Sequence, residues 1–68
     1  MDEIIFVVSE SAEGGYEAKA LDASVFTEAD TMVGLRAAVK DAVACHFPED
    51  DRPKIVRLHF VKDEVFAI

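Results

Sequence analysis

With 68 residues the chain has room for one domain, spanning 1–68, and at that size folding buries only about 60% of the surface the unfolded chain exposes. Fourteen acidic against seven basic side chains give a formal charge of -7, which argues against direct nucleic-acid binding and favours a basic protein partner. The lone Cys45 excludes an internal disulfide, and no apolar run approaches the ~20 residues of a membrane span.

The start, Met1-Asp2-Glu3, lacks the basic opening of a secretory signal, so a soluble cytoplasmic protein is expected. Ile4 to Val8 is an unbroken apolar run rich in β-branched residues, the pattern of a central strand covered on both faces. Ser11 to Gly15 supplies a turn, its Gly14-Gly15 pair suited to the positive φ values of a tight hairpin. Tyr16, Ala18 and Ala20 then alternate with Glu17 and Lys19, as in a strand with one dry and one wet face. A turn at Leu21 to Ser24 leads to a short strand at Val25 to Thr27.

From Asp30 to Phe47 the period changes to that of an amphipathic helix. Leu35, Ala38, Val39, Ala42, Val43 and His46 fall on one side and Met32 at its edge. Asp30 or Thr31 can cap its start, and Pro48 ends it. Pro48 to Pro53 brackets a charged loop. A last strand, Ile55 to Val61, places Val56, Leu58 and Phe60 towards the helix and Ile55, Arg57, His59 and Val61 away. Val65 to Ile68 form an apolar tail, read as a fifth short strand or as an arm laid on a neighbour.

The element order is therefore β-β-β-α-β, an α+β fold with one helix on a small mixed sheet. A right-handed crossover beside the first strand gives the sheet order 3-2-1-4. One helix covers one sheet face, so the other needs a second copy or a partner. A homodimer or larger assembly is expected, with Ile5, Val7, Phe66 and Ile68 as oligomer-interface residues.

No catalytic residues, no metal ligands and no cofactor site are expected. Cys45 and His46 are adjacent, so their side chains diverge by about 100° on a helix, and tetrahedral zinc needs further ligands. Cys45 is expected to be buried or half-buried, His46 to sit at the helix end and His59 to alternate with core residues. Gly14-Gly15 lies in a hairpin and not between a strand and a helix, so it forms no phosphate cradle. The acidic loop matches no calcium-binding pattern. The protein is expected not to be an enzyme.

Glu13-Gly14-Gly15-Tyr16-Glu17-Ala18, followed by Glu28-Ala29-Asp30-Thr31 and an amphipathic helix, resembles the HicB-like antitoxin family. The likeness runs from Ile4 through the strand ending at Val61. It implies a pared-down ribonuclease-H-like fold without that enzyme's carboxylate metal site. It also implies a protein-binding role, in which the acidic domain masks a small basic RNA-cleaving toxin. The chain has Asp22-Ala23-Ser24 where the family commonly turns on proline-glycine, and it carries no helix-turn-helix or ribbon-helix-helix segment after the last strand. Glu10, Glu13, Tyr16 and Glu17 around the first hairpin are the candidate partner-binding residues, offering acidic and aromatic groups to a basic surface. The alternative is an orphan dimeric adaptor or ligand-binding module of the same fold with no toxin partner.

Overall fold

The computed structural model describes residues 2–68. Four strands, β1 (Glu3–Glu10), β2 (Tyr16–Ala20), β3 (Phe26–Ala29) and β4 (Ile55–Phe60), form a mixed sheet in the order β3-β2-β1-β4. One helix, α1 (Met32–His46), and a single 3-10 turn (Glu49–Asp51) connect β3 to β4. β2 runs antiparallel to both β1 and β3, and β4 runs parallel to β1. The expected topology is therefore the observed one, with the apolar first strand inside the sheet.

β1 is the centre because alternate residues serve two faces. Ile4, Phe6 and Val8 are buried against the helix, while Ile5, Val7 and Ser9 are half-buried on the other face. Ala18 and Ala20 of β2, Val25 before β3, and Leu35, Val39 and Val43 of α1 complete the core. The helix stripe repeats every four residues, and the small alanines of β2 let the helix backbone approach the sheet. Thr31 is the N-cap, its Oγ1 accepting the Gly34 N–H at 3.0 Å. At the other end Arg52 donates to the Ala44 and Phe47 carbonyls at 3.2 and 3.4 Å. A cation thus meets the negative end of the helix dipole.

Several details differ from expectation. β3 runs from Phe26 to Ala29 and not from Val25, because Val25 turns into the core and its carbonyl accepts from Ala20 N–H. Cys45 is exposed, since it lies about 80° away from Leu35 around the helix, on the side turned from the sheet. His46 is also exposed despite its place on the apolar stripe. It is the last helical residue, with the Phe47 ring edge-on against it at a centroid distance of 4.8 Å.

The larger difference concerns β4. Val56, Leu58 and Phe60 pair with Ile4, Phe6 and Val8 and so share the helix side of the sheet. The helix, however, packs over β2 and β3. Leu58 reaches the core, but Val56 is 37% and Phe60 55% exposed. Beyond Val61, whose N–H still donates to the Val8 carbonyl, residues 62–68 form no strand and are exposed.

Candidate functional site

The first hairpin is closed by Ser11, whose N–H donates to the Gly15 carbonyl at 3.0 Å while its own carbonyl accepts from Gly14 N–H at 3.1 Å. Gly14 and Gly15 take φ values of +96° and +85°, the left-handed region that favours glycine. Gly15 also has no room for a side chain, since a Cβ there would stand 2.7 Å from the Ala29 carbonyl oxygen. That close approach brings the hairpin tip against the end of β3.

The result is a hollow of about 400 Å³ lined by Ser11, Glu13, Gly14, Tyr16, Glu28, Ala29 and Asp30. Three carboxylates and one phenol therefore share a concave surface, drawn from the hairpin and from the β3–α1 junction. Tyr16 is half-buried and packs on the core, so its ring is held in place and its position does not depend on a partner. Glu10 pairs directly with Tyr16 across the β1–β2 ladder.

The strand alternation separates the expected partner-binding residues. Tyr16 lies on the helix side with Ala18, whereas Glu17 lies on the open face beside Ser9. There Glu17 pairs with Glu28 of β3. Two like charges directly opposed across a ladder are unfavourable, and no salt bridge among the described residues reaches either of them. Glu28 therefore joins the open-face pair to the hollow, and with Asp30 it extends the acidic set of Glu10, Glu13 and Glu17. The signal for it was present in the sequence as Glu28-Ala29-Asp30-Thr31, but its position opposite Glu17 depends on strand register.

The proposed oligomer residues are not gathered in one place within a chain. Ile5 and Val7 lie half-buried on the open face beside Arg57, His59 and Lys19 of the neighbouring strands, with exposed Phe26 opposite Lys19 and exposed Ile55 opposite Glu3. Phe66 and Ile68 are on the exposed tail. The open face is also charged: Arg57 donates from Nε and Nη2 to the two carboxylate oxygens of Glu3 at 3.2 and 3.1 Å. Glu3 holds the Arg57 guanidinium pKa above its ordinary value, chiefly through these hydrogen bonds.

A second concavity, of about 530 Å³, lies between α1 and β4. Val43, Val56 and Leu58 give it an apolar lining and Arg36, Lys40, Arg52 and Lys54 a basic rim. Four of the seven basic residues of the chain are thus on this side. Glu49, Asp50 and Asp51 of the 3-10 turn immediately precede Arg52, so acidic groups adjoin this rim as well as the hairpin end. His46 ends α1 and His59 lies on β4 opposite Val7, so the two histidines belong to different elements. Among the described residues no group of three or more His, Cys, Asp or Glu side chains is arranged to hold a metal ion. Nor is any helix among them long and apolar enough to cross a membrane.

No protein-family model and no solved structure matches the chain. It is similar to a UPF0150 protein of Thermotoga maritima, 47% identical over 66 residues that cover 97% of this chain and 93% of the relative. It is also similar to a UPF0150 protein of Archaeoglobus fulgidus, 49% identical over 55 residues, covering 81% of this chain and 82% of that one. Identity of that degree, sustained through the sheet and the helix, means that the chain belongs to the UPF0150 family.

Proposed function

We propose that this protein is an antitoxin-type binding module of the HicB-like kind, which masks a small basic RNA-cleaving toxin in the cytoplasm and is not itself an enzyme. The observation that carries the reading is the acidic hairpin end, where Glu13, Glu28 and Asp30 surround a fixed Tyr16 and Glu17 stands opposed to Glu28. Like charges held together by the fold favour a cationic partner, because binding removes their repulsion as well as adding attraction. The aromatic ring provides a rigid contact beside them, a combination suited to Arg and Lys side chains.

Co-expression with a small basic protein encoded next to this gene tests the reading. Recovery of a complex, with relief of the growth arrest the basic protein causes, is expected. Failure to recover any such complex, together with persistent arrest, would remove the support for it.

The groove between α1 and β4 favours a second reading, an orphan adaptor or ligand-binding module. Its volume of about 530 Å³ falls in the range that accepts a small molecule, and its basic rim over apolar walls suits an amphipathic anion. Native mass spectrometry of the purified protein separates the two. A retained anionic small molecule, with no toxin gene nearby, would favour the second.

A further inference from the structure

The tail and the edge of β4 are each incomplete, and they have complementary shapes. Residues 62–68 enter no hydrogen bond among the described residues. Val65 is 93% and Phe66 73% exposed, and Ile68 is fully so. The chain measures 52 × 20 × 17 Å, and its radius of gyration of 13.2 Å exceeds the about 11 Å expected for a compact domain of this length. Beside the tail, β4 pairs with β1 along one edge only, leaving a row of backbone donors and acceptors and the exposed Val56, Phe60 and Val61 without cover.

We infer that two copies of this chain exchange their tails, each tail adding as an antiparallel strand to the free edge of the other's β4. Seven residues extended at ~3.3 Å each span about 23 Å, enough to pass the end of the partner's β4 and reach back over its last three residues, Leu58 to Phe60. A two-fold axis between two such chains lets both exchanges happen at once, and the two sheets join into one. Continued alternation puts Lys62, Glu64, Phe66 and Ile68 on the helix side with Leu58 and Phe60. One register then sets Phe60 beside the partner's Phe66, Leu58 beside the partner's Ile68 and Lys62 beside the partner's Glu64. On the opposite face it sets Val61 beside the partner's Val65. Apolar side chains meet apolar ones and the lysine meets an acid, while Asp63 alone faces its own copy at the axis. Ile68 arrives next to Leu58, where the groove between α1 and β4 begins. The tail begins beside Glu10, Ser11 and Tyr16 at the hairpin end, but the tests below read the assembly of the chain by itself, so they stand or fall independently of toxin binding.

Light scattering of the full-length chain at micromolar concentration should give twice the chain mass, and Phe66→Lys with Ile68→Lys should give the single mass. Both tail residues are exposed in the single chain, so the helical band of the far-ultraviolet circular dichroism should be kept and only the strand signal of the tails lost. A monomeric parent chain, or a variant that remains dimeric, would overturn the inference. Register is read by a chain carrying Phe60→Cys and Phe66→Cys, with the exposed Cys45 replaced by serine. Oxidation should yield a covalent dimer on a non-reducing gel. A monomer with an internal disulfide would mean that each tail folds back on its own β4, and a chain that forms no disulfide would mean that the tail does not reach this edge; both overturn the exchange.

Discussion

Gly15 sets the position of the acidic hollow. Its positive φ and the closeness of the Ala29 carbonyl oxygen to its missing side chain hold the hairpin tip against β3. Gly15→Ala should cost more than the ~1–2 kcal/mol of a left-handed alanine, because the added Cβ must also displace backbone. Gly14→Ala meets open space and should cost only the backbone term. Urea denaturation of the two variants checks the order. Thr31→Ala removes the Oγ1 that accepts Gly34 N–H, and the same measurement should show a loss of about 1 kcal/mol. Glu28→Lys should do the reverse. It turns the opposed Glu17–Glu28 pair into an attractive one, stabilising the isolated chain by ~0.2–1 kcal/mol while weakening its hold on a basic partner. A residue whose replacement raises stability and lowers binding is one retained for the partner.

Among the elements, β1 carries the fold. Phe6 is fully buried, and Phe6→Ala should cost ~3–5 kcal/mol, enough to unfold a domain of this size in the absence of a partner; thermal melting followed by circular dichroism would show it. That strand and the helix were the most legible parts of the sequence, because a continuous β-branched run and a 3.6-residue period are local signals. The sheet order followed from them, since only a central position covers Ile4 to Val8 on both sides. What escaped depends on non-local placement. The period of α1 gave the direction of its apolar stripe but not which strands it would cover, so the exposure of Val56 and Phe60 was not visible. Likewise Glu13, Tyr16 and Glu17 could be picked out by type. The split of Tyr16 from Glu17 follows from the alternation of β2, but the approach of Glu28 and Asp30 needed the register of β2 with β3.

At the scale of the whole molecule, the charge of -7 is unevenly spread. The α1–β4 side carries Arg36, Lys40, Arg52 and Lys54, and the hairpin end, across the sheet at β1–β3, carries the acidic hollow. A basic protein is attracted by the carboxylates of the hairpin end, and the attraction weakens as salt screens it. The tail exchange joins two copies along β4, at the far edge of the sheet from β3 and its Glu28. The most direct measurement is the association rate with the basic protein encoded beside this gene, taken at low and at physiological salt for the parent chain and for Glu17→Lys with Glu28→Lys. At low salt the rate for the variant should be about tenfold or more below that of the parent chain, with the gap narrowing as salt rises. An equal rate for the two chains at low salt would contradict it.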